Sequence, residues 1–323
     1  MGRAMEQWKY RLGVPCRAIL PAFFPASTET EAAVMEPVIT VGLDGSPASL
    51  AAARWGAAEA DRRGLTLHLL HAWIMLSPDA TGIPSPKDQN YWARRILDDA
   101  QTELHKRHPG LSIVEDMVAE EAGPALLEAA SQAQMVVLGS RAVAHVQSFF
   151  LGDISTDVAS RAERPVVLVR EGTDEEAPFP AQEGGVVVGL GLHGPADELL
   201  EFAFDAAASR GVPLRAVHGH SLPVQAHMHW GVNHEAGDKI EEDARKKLNE
   251  ALGPWREKFP GVQVTDVVRL ESPARAAVRE AEGADLLVVG RRKHRGALAG
   301  RLGPVAHAAA HHAACPLAVV PHD

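Results

Sequence analysis

Cysteine is nearly missing from this chain: Cys16 and Cys315 are the two among 323 residues. One sits among prolines near the start and the other just before the last apolar run, so a disulfide framework is not expected and a reducing cytoplasm fits. Aromatic residues make up only 5% of the chain, against 46% hydrophobic and 23% charged residues, the balance of a globular protein rather than of a fibre or a disordered tail. Positive charge is also short. The formal net charge of −10 speaks against a nucleic-acid partner, because a phosphate backbone selects a basic face. No stretch approaches the roughly 18 apolar residues that a bilayer-spanning helix needs, and no membrane association is expected. Arg3, Lys9 and Arg11 precede apolar residues as in an export signal, but Pro15, Arg17, Pro21 and Pro25 break the apolar segment. Residues 1–34 are therefore expected to be an irregular extension, with Met35 a candidate start.

What the chain does have is an internal repeat. Val38-Ile39-Thr40-Val41-Gly42-Leu43 returns as Gly185-Val186-Val187-Val188-Gly189-Leu190, Gly189 lying 147 residues after Gly42. Gly64 through His71 returns as Gly211 through His218 at the same offset, and Val137-Leu138-Gly139 returns as Val288-Val289-Gly290 after 151 residues. Self-similarity at so steady a spacing means two homologous domains. They are expected at residues 35–171 and 185–323, joined by an acidic, proline-containing linker at 172–184. Within each copy, short β-branched apolar runs alternate with longer alanine-rich amphipathic segments, the pattern of a parallel sheet covered by helices on both faces. In the first copy the strands are expected to open at Val38, Leu65, Ile113, Met135 and Val166, with helices opening near Ala48, Tyr91, Pro124 and Ile154. Such open sheets bind ligands at the carboxyl ends of their strands, where the strand order reverses.

The residues just beyond those strand ends are Gly42-Leu43-Asp44-Gly45-Ser46-Pro47 after the first and Gly139-Ser140-Arg141-Ala142 after the fourth, with Gly152-Asp153-Ile154-Ser155 following. A loop entering a helix aims backbone N–H groups and the positive end of the helix dipole at one point, which suits a phosphate. Asp44 could accept from a ribose hydroxyl or help hold magnesium. The alternative is a cap on the next helix through an Asx turn with Ser46.

The opening Val-Gly-Leu-Asp-Gly-Ser-Pro, the ending His71-Ala72-Trp73 and the segment from Gly139 to Ser155 resemble the universal stress protein family, over about Pro37 to Pro321. Its ATP-binding members carry G-x2-G-x9-G-[ST]. The resemblance implies, in each copy, a five-stranded, Rossmann-like three-layer sandwich of the adenine nucleotide alpha hydrolase type, with strand order 3-2-1-4-5. It also implies a cytoplasmic stress-response regulator that holds ATP, with or without Mg2+. The nucleotide site would be built from Gly42, Leu43, Asp44, Ala72, Val118, Gly139, Ser140, Arg141, Ala142, Gly152, Asp153, Ile154 and Ser155. Two departures weaken the motif: Ala142 replaces its second glycine and Asp153 its Ser/Thr, setting a carboxylate against a triphosphate. In the family the last strand pairs across a dimer axis, so Val166–Val169 and Leu317–Val320 are expected to pair within this chain as a pseudo-dimer. A further homodimer and a regulatory protein partner are compatible with that.

The second copy departs further. Gly191 stands where Asp44 would repeat, Lys293 replaces a motif glycine, and Pro304 removes a backbone donor. Only a weak anion site at Gly290, Lys293 and Gly303 is expected there, beside the basic run Arg291 to Arg295. Gly189 to Gly194 spells GxGxxG, but His218-Gly219-His220 offers no acid for a ribose diol. Histidines number 16, yet without clustered acids or cysteines His218, His220, His227, His229 and His234 are expected to be ordinary loop residues rather than a metal site. No Walker A lysine, S-G-G-x-D-S loop or general base stands out, so turnover is at most that of a slow ATPase. A non-nucleotide-binding interaction scaffold of the same fold is the competing reading.

Overall fold

β-Branched runs become strands because the branched side chains pack well on a pleated surface, while the alanine-rich segments between them lose little entropy as helices. The computed structural model describes residues 37–74, 86–140, 154–172, 184–221, 234–293 and 302–323. The expected extension at 1–34 and most of the expected linker lie outside them. The first half runs β1 (Val38–Gly42), α1 (Pro47–Arg63), β2 (Thr66–Ala72), α2 (Pro86–Arg107), β3 (Ile113–Val118), α3 (Ala122–Gln132), β4 (Met135–Ser140), α4 (Ile154–Arg161) and β5 (Val166–Arg170). The second runs β6 (Val186–Gly189), α5 (Asp197–Arg210), β7 (Leu214–Gly219), α6 (His234–Lys258), β8 (Val264–Arg269), α7 (Pro273–Glu280), β9 (Leu286–Arg292), α8 (Pro304–His312) and β10 (Leu317–His322).

Among the described residues, ten strands form one continuous sheet in the order β3-β2-β1-β4-β5-β10-β9-β6-β7-β8. Each half therefore has the order 3-2-1-4-5, with parallel pairing throughout. The halves join by the one antiparallel pairing in the sheet, Leu168 opposite Leu317, Val167 opposite Ala318 and Val166 opposite Val319. The expected pairing of the two last strands is present within the chain.

α1 shows how local sequence sets an element. Ser46 caps it by accepting from the Ser49 N–H, Pro47 starts it, and Gly64 ends it in the left-handed region at φ 63°, where a glycine pays no steric penalty. Several expected boundaries shift, β2 opening at Thr66 rather than Leu65 and α3 at Ala122 rather than Pro124 among them. α2 starts at Pro86 rather than Tyr91, and β4 runs on through Gly139 and Ser140 because these still pair with Val169 and Arg170 of β5. Gly139 and Ser140 are sheet residues, not loop residues.

Two hydrophobic layers sandwich the sheet. On one face lie α1, α2, α5 and α6, contributing Trp55, Leu97, Phe204 and Leu248. On the other lie α3, α4, α7 and α8, contributing Leu126, Val158, Ala276 and Ala306. The carboxyl ends of β1 and β4, and of β6 and β9, open between these layers.

Candidate functional site

In the first half the predicted residues divide into those brought together at the mouth of β1 and β4 and those used to build the fold. Leu43 is buried; its N–H donates to the Leu70 carbonyl at 2.8 Å and its own carbonyl lies 2.7 Å from His71 Nδ1. Asp44 is exposed. Its carboxylate accepts from the Ser46 N–H at 2.9 Å and its N–H donates to Ser49 Oγ at 3.3 Å, so the Asx turn weighed as the alternative role is formed. Ala72 and Val118 end neighbouring strands in register, and the Val118 carbonyl accepts from the Trp73 N–H at 2.9 Å. That carbonyl closes the sheet ladder rather than facing the crevice with both lone pairs unused.

The glycines serve packing. A Cβ on Gly139 would sit 2.5 Å from the Ala48 carbonyl carbon and 2.6 Å from the Ser49 nitrogen, inside the first turn of α1. A Cβ on Gly42 would meet Leu138 at 2.7 Å. Ser155, expected as a hydroxyl donor to phosphate, donates to the Gly139 carbonyl at 2.8 Å, tying the first turn of α4 to the end of β4. Ile154 opens α4 and is 46% exposed. Arg141, Ala142, Gly152 and Asp153 lie outside the described residues.

The second half shows a well-formed crevice at the same topological position. It has a volume of about 430 Å³ and is lined by Gly191, His193, His218, His220, Arg291 and His322, among others, with the start of α8 at its rim. This volume falls within the range of small-molecule sites. Its electrostatics differ from those of the first half. Gly191 leaves open space where Asp44 stands, and arginines and histidines replace the acid.

Of the three residues expected in the weak second site, Gly290 and Gly303 line this crevice and Lys293 is not among its lining residues. Lys293 Nζ pairs with Glu198 at 3.0 Å, so its charge is already met. Gly290 lies beneath the His322 ring and Leu199, where a Cβ would collide. Gly303 is the N-cap of α8, with no side-chain cap bond. The GxGxxG segment is likewise no dinucleotide fingerprint. α5 starts at Asp197, beyond Gly194, and Asp197 and Glu198 fill its first turn, opposing any phosphate there. Among the described residues, no group of three or more His, Cys, Asp or Glu is arranged to hold a metal. His227 and His229 lie outside them.

A model of the universal stress protein family matches residues 36–170 and again 185–321. The chain belongs to that family. Universal stress protein Rv2005c of Mycobacterium tuberculosis is 34% identical over 291 residues, spanning 87% of this chain and 96% of that protein. A universal stress protein of Mycolicibacterium smegmatis is 33% identical over 299 residues, again 87% of this chain and 96% of the relative. Among solved structures, a universal stress protein from Archaeoglobus fulgidus aligns with a TM-score of 0.62 at 16% identity, covering 88% of this chain and 98% of that one. At that identity the likeness speaks for the fold alone.

Within this universal stress protein, one polar pair escaped sequence reasoning. His71 and His218 occupy equivalent places at the ends of β2 and β7, each with Nδ1 on the carbonyl that follows the first strand of its half: Leu43 at 2.7 Å and Leu190 at 2.9 Å. A carbonyl only accepts, so each Nδ1 carries the proton, and Nε2 holds the lone pair in the neutral ring. Burial, together with the charges of His220, His193 and Lys247, holds His218 below the usual histidine range. The repeat of His71 at His218 was visible in the sequence. Its role was not, because the bond runs to backbone.

Proposed function

We propose that this universal stress protein is a regulator that binds an adenine nucleotide, ATP before others, at the first-half crevice, with catalysis slow or absent. The observation that carries the reading is the exposed Asp44 at the mouth of the switch point between β1 and β4. There an acid can meet a ribose diol or a metal-bound phosphate, and the first-turn N–H groups of α4 lie at the same end of the sheet. The crevice of the second half supports it by analogy, since the same topology opens a space of nucleotide size there. Asp44, Leu43 and the start of α4 would hold the ligand, and bound magnesium would neutralise phosphate charge near Asp44 and Asp153.

Calorimetric titration with ATP and magnesium tests this, together with native mass spectrometry of ligand retained through purification. Asp44→Asn keeps the Asx turn but removes the charge. It is expected to weaken magnesium-dependent binding about tenfold or more, and Asp153→Ser to strengthen it. Equal affinity in all three proteins would remove Asp44 from the site.

A second reading, an interaction scaffold without nucleotide, draws on the engagement of Asp44, Gly139 and Ser155 in fold-building contacts. It predicts no binding heat with ATP, ADP or AMP. A phosphate-release assay separates a slow ATPase from both.

A further inference from the structure

α8 carries two histidines one turn apart on the same face, His307 and His311, whose ring centroids lie 4.6 Å apart with the rings inclined at 64°. His311 is exposed and His307 partly so. Their spacing is i, i+4, which brings side chains over one another on a helix. From one turn of helix, two imidazoles can take adjacent positions around one metal ion, and late first-row divalent metals prefer imidazole nitrogen. The helix holds the pair ready, because the three residues between them, Ala308, Ala309 and Ala310, are alanines and the last turn is anchored by Arg170, which donates to the Ala310 carbonyl at 2.7 Å.

We propose that His307 and His311 form a two-imidazole chelate for a divalent transition metal, binding copper(II) ahead of nickel(II) and zinc(II), with water or a small ligand completing the coordination. His312 lies off this pair, its ring 6.4 Å from that of His311, and is not a ligand. The site is distinct from the nucleotide crevice and does not depend on it. It spans the closing turn of the helix whose first residues border the second-half crevice, so a bound ion would staple that turn.

The test uses copper(II) iminodiacetate, which leaves room for two further ligands and so favours paired imidazoles over single histidines elsewhere in the chain. The full-length protein is titrated and followed by electron paramagnetic resonance. His307→Ala and His311→Ala should each weaken the tightest site about tenfold or more, the loss expected when the second ligand is no longer held intramolecularly. His312→Ala should leave it unchanged. Alanine is the best helix former, so both variants are expected to keep the fold, which circular dichroism checks. Retention of the site in either single variant, or its loss in His312→Ala, overturns the proposal.

Discussion

Glu59 and Arg210, 151 residues apart in the chain, meet at 2.7 Å across the junction of the two halves, with side chains 1% and 8% exposed. Arg63, the counterpart of Arg210 in the repeat, grips the other Glu59 oxygen at 2.6 Å and also reaches Asp205 of the second half. Arg62 closes the set on Glu59, and Trp55 lies under the Arg210 guanidinium at 5.5 Å. One carboxylate thus joins α1 to α5 beside the β5–β10 seam. Removing it would leave Arg210 buried without its partner, and breaking such a buried pair costs about 3–5 kcal/mol. Glu59→Gln is therefore expected to lower the urea midpoint strongly. Lys258 and Glu201 are also 2.7 Å apart but 52% and 58% exposed, and Glu201→Gln should cost no more than about 1 kcal/mol. Equal losses would mean that burial does not set the strength of these contacts.

The same carboxylate gives a signed pH dependence. Burial pushes the Glu59 pKa up, but the charges of Arg210 and Arg63 and the Arg63 hydrogen bond outweigh it, leaving the group below its ordinary value of 4.5. A depressed folded-state value contributes stability that is present above the unfolded-state value and disappears as pH falls through the folded one. The stability gap between the native protein and Glu59→Gln should therefore be constant near neutrality and narrow below pH 4.5. Chemical denaturation at a series of pH values measures it, and a gap that widens on acidification contradicts the assignment.

Gly139 and Gly191 make a matched pair for the question of what the motif glycines do. A side chain on Gly139 enters the backbone of α1, whereas one on Gly191 meets nothing within 4 Å. Overpacking a filled site costs typically about 1–3 kcal/mol, so Gly139→Ala should lower the melting temperature whether or not nucleotide is present. Gly191→Ala should stay within about 0.5 kcal/mol of the parent. If Gly139→Ala melted normally and lost only ligand affinity, the glycine would be serving the ligand rather than the helix.

These contacts mark where sequence reading succeeded and where it stopped. The two copies and their alternating strands and helices were legible because β-branched runs and repeat offsets are periodic, whereas the strand order and the pairing of the two last strands came from the resemblance to the universal stress protein family. The end of β4 was misjudged at Leu138 because a strand stops where its neighbour stops, and Arg170 of β5 holds Ser140 in the ladder. The Asx turn at Asp44 was legible as an alternative, since Ser46 lies two residues away. The bond from Ser155 to Gly139 and the clasp on Glu59 were not, because each joins residues distant in sequence, and nothing local marks Glu59 as buried.

Cys315 tests the core at the seam. It precedes β10 and is buried, and burial raises its thiol pKa to about 11. The thiolate is the reactive species, and at pH 8 a thiol with that pKa is ionised to roughly one part in a thousand. Screening by Arg170 lowers the value only in part, since it is the last of the named influences. In a Cys16→Ser variant, which leaves Cys315 as the single thiol, Ellman's reagent should give no fast reaction in the folded protein and one full equivalent in guanidinium. The slow native-state rate should rise in Glu59→Gln if the junction opens as a unit. Rapid labelling of the folded variant at pH 8 would show that β10 is not packed into the sheet as described.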